Sequence, residues 1–151
     1  MNKEILFDGK KGIESVLPHR DPFLWVTRVV ECEPGKSIIA ELDVDPKLSV
    51  FEGHFPDYPV FPGVLLMEAL AQAASLCILV ERGGEGTIGF LTGIDKAKFR
   101  HQVRPGDTVT LKAHIQKSSS RMCVAEVEAR VGDALCATAI QKYVLSKNED
   151  E

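Results

Sequence analysis

The stretch GVLLMEALAQAASLCILVER, residues 63–82, decides how this chain folds. It is rich in Leu, Ala, Met, Glu and Gln and holds no internal Gly or Pro, so its propensities predict a helix of roughly 18–20 residues. Pro62 suits the very start of such a helix and Gly83-Gly84 its stop. Apolar residues occupy nearly every side, the pattern of a helix enclosed by other structure. The run 64–80 is interrupted by Glu68, Gln72 and Ser75, which makes it short and polar for a membrane span. Those three residues are spaced i, i+4, i+7 and share one stripe of the helix.

Around the helix, short stretches of β character recur at 23–30, 37–44, 87–93, 96–103, 108–117, 122–131 and 135–145. Most are separated by breakers, namely Pro34-Gly35, Pro105-Gly106-Asp107, Ser118-Ser119-Ser120 and Gly132-Asp133. The connections between the last three are only a few residues long, which predicts an antiparallel meander. One enclosed helix with about six strands predicts an α+β domain whose curved antiparallel sheet wraps around the long central helix. A helix lying on a flat sheet satisfies the same pattern, so these residues fix the fold only to its class.

At 151 residues the chain has room for one core, which excludes a dinucleotide-binding domain with a separate substrate domain. Residues 1–147 are expected to form that single domain, with 148–151 as an acidic C-terminal tail. The net charge of −4 argues against nucleic acid as the main partner. Glu149, Asp150 and Glu151 account for most of it: without them the 22 acidic residues fall to 19 against 18 basic, a body near neutrality. Cys32, Cys77, Cys123 and Cys136 show no CxxC or zinc-ligand spacing, so no metal is expected. The first residues, MNKEILFDGKKGIESV, carry no apolar signal core, and the expected location is the cytoplasm, with free thiols.

Glu68 is the residue that most needs explaining, because an ionised carboxylate on an apolar helix is costly unless something satisfies it. The plain reading is that it faces solvent or a subunit contact. Gln72, one turn on, is well placed to hold a carboxylate oxygen. The approach to the helix, EGHFPDYPVFPGVL, carries Pro56, Pro59 and Pro62 at a spacing of three, a stiff extended path that can fix His54 against the helix start. His54 has the chemistry of a general base. Gly63, lacking a Cβ, lets a ligand approach the free N–H groups of the first turn, where the helix dipole favours negative charge. Base, carboxylate and oxyanion donors together suit proton abstraction beside a carbonyl. A structural histidine and a rigid loop remain the alternative for these features, and His19, His101 and His114 are given no chemistry.

The segment GHFPDYPVFPGVLLMEALAQAA, residues 53–74, resembles the active-site signature of the hotdog-fold (3R)-hydroxyacyl-[acyl-carrier-protein] dehydratases of the FabZ type. LPHRDPFLWVTRV, residues 17–29, is similar to that family's N-terminal motif, and GIDKAKFRHQVRPGD, residues 93–107, to its strand motif after the helix. The likeness covers nearly the whole chain. It implies a hydro-lyase that removes water from a (3R)-3-hydroxyacyl thioester to give the trans-2-enoyl product in fatty acid biosynthesis, without cofactor. It further implies His54 as catalytic base, Glu68 from the other subunit of a homodimer as acid, and the Gly63 and Val64 N–H groups as holders of the thioester oxygen. Gln72 matches the position that supports the glutamate, and a trimer of dimers is the family's assembly. Asp21, Trp25, Thr27, Asp57, Tyr58 and Gln102 depart from the family pattern.

The implied partner is acyl carrier protein, acidic and bearing a phosphopantetheine-linked acyl chain. Lys96, Lys98 and Arg100 alternate along an expected strand, opposite Ala97, Phe99 and His101, and Arg104 extends the charge, so these four basic residues are candidates for docking it. A hotdog acyl thioesterase and a non-catalytic acyl-thioester binding protein are the alternatives. The first would not need the His-Phe-Pro motif, and the second needs neither acid nor base.

Overall fold

The structure is a computed structural model that describes residues 7–8, 10–82 and 87–147. Its elements in chain order are β1 Phe7–Asp8, α1 Lys10–Glu14, β2 Arg28–Glu33, β3 Ser37–Asp43, a one-turn 3-10 helix Ser49–Glu52, α2 Gly63–Glu81, β4 Thr87–Phe99, β5 Thr108–Ser118, β6 Met122–Val131 and β7 Ala134–Lys147. The strands form one antiparallel sheet in the order β1-β2-β3-β5-β6-β7-β4. β5, β6 and β7 are neighbours, as their short connections predict.

α2 packs against β3, β5, β6 and β4, so the sheet curves around it. Register shifts in β2, β4, β5 and β7 add local bends that help the wrap. Alternation along the strands supplies the inner face: Ile38, Ala40 and Leu42, then Val109, Leu111 and Ala113, then Cys123, Ala125, Val127 and Ala129 are all buried. With Leu70, Leu76, Ile78 and Leu79 of the helix they form one buried core, which also takes in Ala69, Ala73 and Ala74. Burying each large side chain contributes about 1.5–3 kcal/mol. By length and hydropathy Gly63–Glu81 could cross a membrane, but 72% of its apolar window is buried inside the fold.

Three expectations are corrected. The strand expected at 23–30 begins only at Arg28, because the Trp25 N–H and the Phe23 C=O bond to the Gln72 side chain instead of a neighbouring strand. The two strands expected at 87–93 and 96–103 are one, β4, which ends at Phe99 and absorbs its irregularities as register shifts after Leu91 and Asp95. The sheet gains β1, two residues too short to leave a pattern. The Gly83-Gly84 stop and the 148–151 tail lie outside the described residues; α2 ends at Glu81, and Arg82 folds its N–H back to Leu79 O at 3.1 Å.

Candidate active site

α2 starts without a cap. Pro62 sits in an extended conformation before it, no side-chain cap bond forms at its start among the described residues, and its first turn holds no acidic residue. The Leu65 and Leu66 N–H groups turn back to Pro62 O, whereas those of Gly63 and Val64 have no hydrogen bond among the described residues. Two N–H donors are thus left at the positive end of the helix dipole. Glycine at 63 also leaves room the sequence does not show: a Cβ there would lie 2.8 Å from the exposed Phe99 ring, which would have to move aside. Phe99 closes one side of a crevice of about 340 Å³ lined also by Val60, Phe61, Leu66 and Val103.

His54 is fixed by its own loop. Its N–H donates to Val50 O at 3.0 Å, its C=O accepts from Val60 N at 3.1 Å, and its ring stacks on Phe55. Ring Nδ1 lies 2.9 Å from Val60 O. A carbonyl only accepts, so Nδ1 carries the hydrogen and Nε2 keeps the lone pair, which is the form of a base. The loop's far end is tied by Phe61 N donating to Val103 O at 2.8 Å.

Glu68 lies one helical turn in from the start, its side chain 22% exposed. Its Oε2 accepts the Gln72 amide at 3.0 Å. Gln72 is itself buried and held at both ends: Oε1 accepts from Trp25 N, and Nε2 also donates to Phe23 O, each at 2.8 Å. These bonds leave only one orientation of the Gln72 amide, with its NH₂ toward Glu68. From below, buried Gln141 donates to Met67 O at 3.0 Å and accepts from the Tyr143 hydroxyl. Burial pushes the Tyr143 phenol up, and the neighbouring Cys123 and Glu68 charges add to the shift.

The structure therefore brings Glu68 and Gln72 together and sets Gly63 and Val64 at the helix start. It does not join His54 to Glu68: among the described residues no hydrogen bond or ion pair links them within one chain. Lys96, Lys98 and Arg100 line one groove of about 590 Å³ across β3, β5, β6, β7 and β4, but Lys112 and His114 and the acids Glu31, Glu126 and Glu128 share it. Arg104 is not in that groove; its guanidinium lies 4.5 Å over the Tyr58 ring. Tyr58 also donates its hydroxyl to Gln102 at 2.8 Å, so two residues that depart from the family pattern meet each other. His19, given no chemistry by the sequence, has Nε2 3.5 Å from Glu68 Oε2. Among the described residues no cluster of three or more His, Cys, Asp or Glu could hold a metal ion.

A sheet wrapped on one helix, with a carboxylate on that helix and a histidine loop at its start, defines a hotdog domain with acid–base potential. A family model for FabA-like domains matches residues 17–140. The chain is 44% identical over 137 residues to the 3-hydroxyacyl-[acyl-carrier-protein] dehydratase FabZ of Ruminiclostridium cellulolyticum, covering 91% of this chain and 96% of that one. It is 42% identical, with the same coverage, to the FabZ dehydratase of a Thermoanaerobacter species. A dehydratase heterocomplex, ApeI:P from Xenorhabdus doucetiae, shares the fold with a TM-score of 0.75 at 15% identity, over 91% of this chain and 93% of that one. The chain belongs to the FabZ-type 3-hydroxyacyl-[acyl-carrier-protein] dehydratase family.

Proposed function

We propose that this chain dehydrates (3R)-3-hydroxyacyl thioesters on acyl carrier protein to trans-2-enoyl thioesters during fatty acid biosynthesis, with His54 as base and Glu68 of a second copy as acid. The observation that carries the reading is the Glu68–Gln72 pair: a carboxylate kept on an apolar helix by a buried amide whose orientation the N-terminal segment fixes. The thioester oxygen is held by the Gly63 and Val64 N–H groups. That contact stabilises the charge that develops as the weakly acidic α-proton leaves. His54 Nε2 takes the proton. Glu68 gives one to the departing hydroxyl, which leaves as water.

The active unit is at least a homodimer. In a single chain the base and the acid are each held by their own segment, and Phe55, Val64 and Phe99 beside them are largely exposed, as a surface waiting for a second copy would be. The acyl group arrives on its acidic carrier, which Lys96, Lys98 and Arg100 attract, with Arg104 adding charge beside the histidine loop. The compartment is the cytoplasm, where Cys32 and the three buried cysteines stay reduced.

The test is hydration of a crotonyl thioester, followed by loss of enoyl absorbance. His54→Ala and Glu68→Gln, made separately, should each lower kcat by at least about 100-fold, the usual share of a general acid or base, with Tm little changed. Near-normal turnover by either variant would overturn the assignment. In the same assay, Lys96→Glu with Lys98→Glu should raise KM for carrier-linked substrate and leave a coenzyme-linked one unaffected; an equal effect on both removes the docking role.

A further inference from the structure

Glu68 has one oxygen engaged and one open. Oε2 accepts the Gln72 amide at 3.0 Å and lies 3.5 Å from His19 Nε2, whereas Oε1 has no hydrogen bond among the described residues. The other ring nitrogen of His19, Nδ1, is buried and has no partner there either. A buried N–H without an acceptor is the rarer orphan, so the hydrogen of a neutral His19 belongs on Nε2, which faces Oε2 across 3.5 Å, longer than a formed hydrogen bond, and Nδ1 keeps a bare lone pair.

The segment around His19 is built to hold that ring in place. Leu17 is fully buried. Arg20 clamps the backbone from the other side, its guanidinium donating to Leu17 O at 2.7 Å, His19 O at 2.8 Å and Glu14 O at 3.2 Å. The His19 side chain is 20% exposed, close to the 22% of the carboxylate it faces.

We propose that His19 is a positioning residue for the acid: with Gln72 it directs two N–H donors at Oε2 of Glu68 and so confines the transferable proton to Oε1. A carboxyl oxygen has two lone pairs, and one that accepts two N–H bonds has no place left for a proton. The acid then presents its O–H on the one oxygen open to the substrate, in the geometry needed to protonate the leaving hydroxyl. This rests on the reading of Glu68 as the acid. His19 does not touch the reacting atoms; it acts through the carboxyl.

Two substitutions separate the donor from the bulk of the ring. His19→Phe keeps the shape and removes both nitrogens, and His19→Gln returns an N–H near the place of Nε2. For His19→Phe, kcat with a 3-hydroxyacyl thioester should fall roughly 10- to 100-fold, the scale of a misplaced catalytic group, with KM within about twofold. His19→Gln should recover most of the loss. If His19→Phe does not fold, His19→Asn, whose shorter amide stops short of Oε2, makes the same comparison. Glu68→Gln run alongside keeps the two readings apart. If Glu68→Gln is inactive while His19→Phe turns over like wild type, the His19 assignment falls alone. If His19→Gln is as slow as His19→Phe, a donor role is likewise overturned. If Glu68→Gln itself turns over normally, the acid reading falls first and this one with it.

Discussion

Gln72 shows how much one side chain can organise. Its amide satisfies the Trp25 N–H, the Phe23 C=O and the Glu68 carboxylate at once, in a place with almost no access to water. Gln72→Leu should therefore leave two backbone groups without partners and Glu68 Oε2 with His19 as its remaining neighbour. The expected cost is about 2–4 kcal/mol, since each buried orphan carries roughly 1–3 kcal/mol and some will reach water. Urea unfolding measures it, and a loss within about 0.5 kcal/mol would mean that these groups find other partners. Polar residues on an apolar helix are legible in sequence because they violate its pattern, which is how Glu68 and Gln72 stood out. His19 did not, because its meaning lies in a contact with a residue far along the chain, and such contacts leave no periodic trace. The true neighbour of Gly63, the Phe99 ring, was hidden for the same reason.

At the scale of elements, local signals mark the middle of a segment better than its ends. α2 was readable from propensity over almost its full length, and β5 and β6 from β-rich composition set between breakers. The start of β2 was not, because Gln72 takes the backbone bonds that a longer strand would use. The unity of β4 was hidden because register shifts disguise a continuous strand as two. The loop between the 3-10 helix and α2 is held at its base by backbone bonds and at its tip by Tyr58, through Gln102 and Arg104. Tyr58→Phe removes only the hydroxyl and keeps the ring under Arg104. On this exposed surface the loss in stability should stay below about 1 kcal/mol. Hydrogen exchange at the Tyr58 and Val60 amides should nonetheless quicken, since local opening then needs one bond fewer. Unchanged exchange would show that the backbone bonds hold the tip without help from the side chain.

At the scale of the whole molecule, the described sheet has two edges, β1 of two residues and β4 of thirteen. β4 carries Phe90, Ile94 and Phe99, each at least 40% exposed. A long edge with exposed apolar side chains invites pairing, and natural proteins cover such edges. If a second copy supplies the cover and each active site takes His54 from one chain and Glu68 from the other, two dead variants should repair each other. In a mixed dimer of His54→Ala and Glu68→Ala chains, one site has lost both residues and the other has kept both. Random pairing makes half of the dimers mixed, and half of their sites are intact, so activity should return to roughly a quarter of wild type. The two variants are purified apart, mixed, allowed to exchange subunits through mild denaturant and assayed. Sites confined to single chains would give no recovery at any ratio, because every chain carries a lesion. Adding Ile94→Asp to both variants should abolish the recovery and shift sedimentation to the monomer, which ties the shared site to the β4 edge.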